Sequence, residues 1–180
     1  VILRATDASG NFNTCNATVT VQDMVVPNAN CNPTATVNLS PTVGTLTVAQ
    51  VNAGSTDNCT ITSFVLSQTS FSCGDIATNP HTVTMTVTDQ SGNQDFCTTQ
   101  VTVVDPVAPV ANCNSPINLV LAGATVSTTV AAINNNSTDN CAIANMSLSQ
   151  TTFTCANVGA NSVTLTVTDG SGNVNTCAST

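Results

Sequence analysis

The fold is decided by residues 82–104, which read TVTMTVTDQSGNQDFCTTQVTVV. Val83, Met85 and Val87 alternate with threonines, which is the period of a β-strand that buries one face. The segment DQSGN that follows is typical of a tight turn, because aspartate accepts backbone N–H bonds and glycine permits a positive φ. Residues 97–104 show the same alternation. The stretch therefore predicts an antiparallel hairpin with one apolar face.

The composition extends this prediction to the whole chain. Apolar residues make up 41% of the sequence, but most are Val and Ala interleaved with Thr, Ser and Asn, which suits half-buried strands. The chain has one Lys or Arg and no Glu, so no segment can form an amphipathic helix with a charged outer face. We expect an all-β protein with almost no helix.

An internal repeat of about 82 residues organises the sequence: Cys15 recurs as Cys97 and, after a two-residue deletion, as Cys177. The segments TDASGN, TDQSGN and TDGSGN begin at residues 6, 88 and 168. The remaining cysteines are also periodic, as the pairs Cys31 and Cys113, Cys59 and Cys141, and Cys73 and Cys155. We expect the last hairpin of a preceding repeat in residues 1–22, a complete repeat in 23–104, and a second repeat in 105–180 that lacks its last strand. An array of this kind would continue in both directions, or be completed by another molecule.

The spacing of the predicted strands indicates the type of repeat. Short strands separated by turn residues every 8 to 12 positions or so are typical of an immunoglobulin-like sandwich. A repeat of this size with few aromatic residues has a small core, and small extracellular domains commonly compensate with disulfides. The expected fold is a tandem array of disulfide-stapled, immunoglobulin-like β-sandwich repeats of about 82 residues.

The motifs of each repeat resemble those of a known family. They are a Val-x-Asp linker, a Cys soon after a Pro, an Asp-Asn before the middle, and Thr-Asp-x-Ser-Gly-Asn-x-x-x-Cys followed by Val-Thr-Val. This pattern resembles the hyalin-repeat (HYR) type of immunoglobulin-like module, which occurs in tandem in secreted and surface proteins. The richness in Asn and Thr is similar to that of repeats in giant bacterial surface proteins. The resemblance implies an extracellular structural or adhesive role, and four cysteines per repeat exceed the two expected from the family.

The nine cysteines indicate disulfides and an oxidising compartment. No Cys-x-x-Cys occurs and His81 is the only histidine, so neither zinc-binding nor thioredoxin-type spacing is present. We therefore expect an extracellular or cell-surface location. No apolar run approaches the roughly 18 residues of a membrane helix, so we expect no membrane insertion in this segment.

The position of each cysteine in the sandwich predicts its partner. In a sandwich of this topology, the first strand starts and the last strand begins at the same end of the domain. Cys31 and Cys97 lie at that end, so we pair Cys31 with Cys97 and, equivalently, Cys113 with Cys177. Cys59 and Cys73 lie seven residues either side of Leu66, next to turn residues. A hairpin there would pair Cys59 with Cys73, and Cys141 with Cys155. Cys15 is left for a repeat upstream of Val1 or, alternatively, for a bridge between molecules.

Seven of the nine aspartates are also periodic, in a chain that otherwise lacks charge. The sandwich topology places the linker and two loops at one end of each repeat, where three carboxylates should meet and repel. A hard divalent cation such as calcium would neutralise them, with asparagines or backbone carbonyls completing the shell. The alternative is that these aspartates only stabilise turns. The predicted ligands are Asp23, Asp57 and Asp89 at one boundary and Asp105, Asp139 and Asp169 at the next, with Asn58, Asn93, Asn140 and Asn173 as candidate additional ligands.

The same features narrow the function. One His, no Lys and no Glu leave no base and nucleophile pair, so we expect no enzyme. A net charge of -8 excludes nucleic acid as a partner. The leading hypothesis is a structural spacer in an extracellular filament or adhesin stalk, whose partners are neighbouring repeats. The alternatives are an adhesion module for an unknown host or surface ligand, with residues 74–82 as its most variable loop, and a carbohydrate-binding module, which the absence of Trp and Tyr disfavours.

Overall fold

The structure is a computed structural model that describes residues 1–180. The predicted bounds divide the elements into three groups: the hairpin (residues 1–22), the first unit (23–104) and the second unit (105–180). Apart from the first strand, the elements of the two units follow the same order. The hairpin strands are β1 (Ile2–Thr6) and β2 (Phe12–Asn16). The strands of the first unit are β3 (Thr34–Asn38), β4 (Val43–Thr45), β5 (Ile61–Leu66), β6 (Ser70–Ser72), β7 (His81–Asp89) and β8 (Gln94–Val104). Those of the second unit are β9 (Thr125–Ser127), β10 (Ile143–Leu148), β11 (Thr152–Thr154), β12 (Val163–Asp169) and β13 (Val174–Ser179).

The first unit is a two-layer sandwich. One sheet has the order β3-β8-β7-β5, in which β3 is parallel to β8 and the other neighbours are antiparallel. The second sheet pairs β4 with β6. The hairpin predicted from residues 82–104 is confirmed as β7 and β8, with Met85 opposite Cys97.

The core of the first unit lies between these two sheets. Alternate residues of β7 are completely buried, as the sequence pattern predicted. Phe71 on β6 and Val51 on a short helix pack against them from the other layer. Burial of such side chains contributes about 1.5–3 kcal/mol each to folding. The ten buried members of this cluster are Val37, Leu39, Leu46, Val51, Phe71, Val83, Met85, Val87, Val101 and Val103.

The second unit repeats this arrangement with one difference. Its sheets are β10-β12-β13 and β9-β11, and no strand corresponds to β3. In the first unit, β3 pairs with Gln100–Val104 of β8, and Thr180 is the only counterpart of that segment in the second unit. Residues 116–120 therefore form no strand, and a cavity of about 550 Å³ lies between Ile117, Phe153 and Val163.

The little helix that forms is short, in line with the sequence prediction. Each unit has one four-residue helix, α1 (Val48–Val51) or α2 (Val130–Ile133), and one 3-10 helix, Cys73–Thr78 or Cys155–Asn157. At the start of α1, the Gln50 side chain accepts a hydrogen bond from the backbone N–H of Thr47 at 2.9 Å. No helix has the length and apolar character needed to cross a membrane.

Candidate metal centres and the junction between the units

Two clusters of three aspartates form, one at the start of each unit. Asp23, Asp57 and Asp89 each direct one carboxylate oxygen to a common point, and these oxygens lie within 4.8 Å of one another. The second cluster repeats the arrangement with Asp105, Asp139 and Asp169. In the first unit, Asp23 lies in the segment that enters the unit, Asp57 in the turn before β5 and Asp89 at the end of β7. In the second unit, the linker, the turn before β10 and the end of β12 supply the equivalent residues. The structure therefore brings together all six aspartates that the sequence analysis selected.

The third member of each cluster stabilises a turn. Asp89 Oδ1 accepts hydrogen bonds from the backbone N–H groups of Ser91 and Asn93, both at 2.8 Å. Asp89 Oδ2 accepts one from Asn93 Nδ2 at 2.7 Å. Asp169 has the same set of bonds with Ser171 and Asn173. The turn chemistry considered as the alternative is therefore present at this position.

The isolated hairpin shows that this turn does not need the rest of the cluster. Asp7 accepts the same hydrogen bonds from Ser9 and Asn11, although no other aspartate lies near it. These bonds, led by the Asn11 side chain, hold the pKa of Asp7 below its ordinary value. The convergence of two further carboxylates on Asp89 and on Asp169 is a separate feature that turn formation does not explain.

The other two aspartates of each cluster keep one carboxylate oxygen without a hydrogen-bond donor. Asp23 uses Oδ1 to accept from the backbone of Val25 and from Asn58, and Asp57 uses Oδ2 to accept from the backbone of Cys59. Their second oxygens are shielded from solvent and unpartnered, as are those of the second cluster. Such a group costs free energy unless a ligand satisfies it. The unpartnered atoms are Oδ2 of Asp23, Oδ1 of Asp57, Oδ2 of Asp105 and Oδ1 of Asp139.

These oxygens fit a hard divalent cation. Calcium takes six to eight oxygen ligands, and each cluster offers three carboxylates with no Lys or Arg nearby to neutralise them. The Nδ2 groups of Asn93 and Asn173 donate to backbone oxygens of the linker and to the turn aspartate, so only their Oδ1 atoms could act as ligands. The side-chain oxygen of Asn140 is unpartnered, so it remains a candidate ligand.

The second cluster is enclosed by the first unit, whereas the first cluster is more open. Asp105 is 1% exposed, while Asp23 is only partly buried. Asn140 Nδ2 donates to Asp105 Oδ1 at 3.0 Å and also to the backbone oxygen of Pro41 in the first unit. The counterpart Asn58 donates to Asp23 at 3.2 Å and has no such anchor. The sequence pattern contained no signal for the contact between Asn140 and Pro41.

Two disulfides staple the units internally, as the sequence analysis expected. Cys31 is bonded to Cys97 and Cys113 to Cys177, with Cα atoms 5.7 and 5.8 Å apart. In each unit this bond connects the linker that precedes the first strand with the last strand. The isolated bridges Cys31–Asn52 and Cys113–Asn134 place these segments at equivalent positions.

The predicted pairs Cys59 with Cys73 and Cys141 with Cys155 are wrong. The structure instead bonds Cys73 of the first unit to Cys141 of the second, with Cα atoms 5.3 Å apart. The reason is that β5 pairs with β7 whereas β6 pairs with β4, so the turn after Leu66 changes sheets and forms no hairpin. Cys59 consequently lies beside the first aspartate cluster, at the end where the chain enters the first unit. Cys73 lies at the opposite end of this unit, at the boundary with the second unit.

Three cysteines remain free, and all are exposed: Cys15, Cys59 and Cys155. The neighbouring Asp23 carboxylate, as a hydrogen-bond acceptor for the Cys59 thiol, raises the pKa of this thiol above its ordinary value, together with local desolvation and the charges of the nearby carboxylates. In the opposite direction, the backbone N–H of Val25, followed by the Cys59 thiol and Asn58, lowers the pKa of Asp23.

Comparisons with known proteins leave the family open. No family model matches the chain, and no curated protein does. Among solved structures, the extracellular cadherin domains 1–4 of protocadherin gamma B7 align with a TM-score of 0.30 at 12% identity, covering 99% of this chain. The chain spans 63% of the length of that structure. The resemblance to the hyalin repeat and the division into tandem repeats therefore stay predictions.

Proposed function

We propose that this chain is a structural spacer of an extracellular filament or adhesin stalk, in which neighbouring repeats are held in a fixed orientation. The observation that carries the proposal is the boundary between the units. The main chain crosses it at Asp105, the Cys73–Cys141 disulfide crosses it a second time, and Asn140 binds the Pro41 carbonyl across it. Three connections at one boundary restrict rotation between the units far more than a single flexible linker would.

The disulfides support an extracellular location. Three form within 180 residues, and such bonds persist in secreted and surface proteins because cytosolic thiols are kept reduced. Partners in this proposal are neighbouring repeats of the same kind, and nucleic acid is disfavoured by the net charge of -8.

Calcium is the cation we propose for the two aspartate clusters. Each cluster links the chain that enters a unit to two loops of that unit. The second one is also covered by the first unit through Asn140 and Pro41. A bound ion would satisfy the unpartnered oxygens and fix the linker to the unit that follows it. Extracellular calcium modules bind in the range of about 10⁻⁴ to 10⁻³ M, and we expect a similar affinity here.

The proposal includes no catalytic role. His81, the only histidine, contacts the backbone oxygen of Asp75 through Nε2 at 2.8 Å and packs edge-on against Phe71. These contacts fix the position of the His81 side chain at the start of β7. No Lys or Glu is present to act beside it as a second acid or base.

The alternative is a ligand-recognising adhesion module. The cavity of about 550 Å³ in the second unit does not favour it, because the same space in the first unit is filled by β3 and the end of β8, and the segment that would pair with residues 116–120 has no counterpart beyond Thr180. The spacer accounts for both units, so we favour it.

Calorimetry and small-angle X-ray scattering on the full chain test the proposal. Calcium should release or absorb heat with a saturable profile and narrow the distribution of distances between the units. Asp105→Asn, which keeps the shape of the side chain but removes its charge, should abolish the narrowing of the distance distribution and the heat of the second cluster, and leave the heat of the first cluster. Asp7→Asn is the matched control, because Asp7 forms the same turn outside any cluster. A wild-type chain that shows no heat and no change in distance distribution would refute the calcium part. A distribution as broad as that of two freely linked units would refute the spacer itself.

A further inference from the structure

The disulfide between the units takes one cysteine from each unit. Each unit carries two such cysteines, one at its leading end and one at its trailing end. Cys73 lies at the trailing end of the first unit and Cys141 at the leading end of the second. At the 82-residue period, Cys59 is the leading-end counterpart of Cys141, and Cys155 is the trailing-end counterpart of Cys73. Both counterparts are free and exposed. The chain thus has one complete junction and one unused half at each end.

The leading end around Cys59 has the geometry of the one around Cys141. The backbone N–H of Cys59 donates to Asp57 at 3.0 Å, and that of Cys141 donates to Asp139 at 3.0 Å. The preceding asparagine amide lies 3.5 Å from the cysteine sulfur in both units. Cys59 is therefore held in the position that bonds a neighbouring unit elsewhere in the same chain.

The trailing end around Cys155 likewise matches the one around Cys73. Each cysteine opens a 3-10 helix directly after the short strand of the second sheet. In both helices, the side chain three positions after the N-cap residue accepts a hydrogen bond from the N-cap backbone. Asp75 accepts from the backbone N–H of Ser72 at 2.7 Å, and Asn157 accepts from that of Thr154 at 3.0 Å. The strand partners also agree, because Val43 faces Ser72 as Thr125 faces Thr154.

We propose that Cys155 forms a disulfide with the Cys59 of an adjoining repeat of this same type, so that successive units are cross-linked head to tail along the array. The inference rests on the proposed array. The reaction joins two thiols through one S–S bond, and their two protons and two electrons pass to a low-molecular-weight disulfide, which is reduced to two thiols. Every unit would then be bonded to both neighbours in addition to the main chain, and a cut in one linker would leave the neighbours joined.

An in-register fusion of two copies tests this proposal. Cys177 occupies the position of Cys15, so Thr180 corresponds to Thr18, and the full chain is followed directly by residues 19–180 of a second copy. The fusion is refolded with oxidised and reduced glutathione, alkylated without reduction, and cut before each aspartate by an Asp-specific endoprotease. Fragment 57–74 then contains Cys59 and Cys73, and fragment 139–168 contains Cys141 and Cys155. The single chain, treated in the same way, provides the reference pair of these two fragments with two alkylated cysteines.

The proposal predicts that the fusion yields both copies of the two fragments as one linked series of four, with alkylation only at its two ends. Cys155→Ser in the first copy should return the series to separate pairs, whereas Cys15→Ser should leave it intact. Separate pairs from the unsubstituted fusion, or a link between Cys155 and Cys15, would overturn the proposal. Because the readout is sulfur connectivity, it can fail while the scattering and calcium results stand, and the reverse also holds.

Discussion

Cys73 and Cys141 are bonded across the boundary between the two units, and the residue before Cys141, Asn140, donates a hydrogen bond across the same boundary to Pro41. Asn140 also contacts Asp105, the first residue of the second unit's aspartate cluster. The covalent link and the candidate cation site therefore share one short loop. A change in the disulfide should alter the geometry of the cation site, because Asn140 and Cys141 are adjacent in the chain.

Removing the bond between the units should loosen the boundary without unfolding the units. We expect Cys73→Ser combined with Cys141→Ser to broaden the distribution of distances between the units in small-angle scattering, because one of the connections is lost. Hydrogen exchange in β7 and β12 should change little, since their cores lie within single units. Cys15→Ser, which removes an exposed free thiol, is the control. An unchanged distance distribution in the double variant would show that packing alone fixes the orientation.

Removing a disulfide within one unit should destabilise that unit and leave the boundary between the units unchanged. Replacing Cys31 and Cys97 with alanine opens a loop of 66 residues and should lower the free energy of unfolding of the first unit. The chain-entropy estimate for a loop of this size is about 4 kcal/mol, an upper figure. Hydrogen exchange measured along the chain should localise the loss to the first unit, with the Cys113–Cys177 unit as internal reference. Equal loss of protection in both units would contradict this prediction.

The cap at Asp75 should give the first unit a pH dependence that the second unit lacks. Hydrogen bonds from the Ser72 backbone, chiefly, and from its hydroxyl lower the pKa of Asp75 from the ordinary value of 3.8. The stabilisation is therefore complete above about pH 4 and is lost as the pH falls through the lowered pKa. Asp75→Asn should keep the cap, as Asn157 does in the second unit, and remove this part of the acid sensitivity. Asp75→Ala should instead cost about 1 kcal/mol at pH 7, because the Ser72 backbone N–H loses its acceptor. Thermal unfolding followed from pH 7 to pH 2 distinguishes the three proteins, and identical acid profiles for wild type and Asp75→Asn would speak against the assignment.

The two aspartate clusters should bind calcium with unequal affinity. Asp105 is 1% exposed and its cluster is anchored to the first unit through Asn140, whereas the Asp23 cluster is more open and lacks this anchor. A preorganised site loses less conformational freedom on binding. Titration calorimetry should resolve two steps, of which Asp105→Asn removes the tighter and Asp23→Asn the weaker. Loss of the tighter step in Asp23→Asn would reverse this ranking.

Much of the fold was predictable because its signals are local. The alternation around Met85 and the turn at Asp89 require only neighbouring residues, and they placed β7 and β8 correctly. The three-aspartate clusters followed from adding the topology of a sandwich to the period of the sequence. The pairing of Cys73 could not be obtained this way. It depends on which sheet β6 joins and on how the next unit sits against it, and neither leaves a mark at a fixed spacing.

The position of the internal staples determines how the chain would respond to tension. A pulling force applied along the chain passes from Cys31 directly to Cys97 through the disulfide, and from Cys113 to Cys177 in the second unit. The segments between these cysteines, with sequence separations of 66 and 64 residues, lie outside this shortest covalent path. At an extended length of about 3.5 Å per residue, each staple withholds on the order of 200 Å of extension. Even a unit whose core has melted would thus lengthen only by its short flanking segments, and a thread built from such units would be nearly inextensible until its disulfides are reduced.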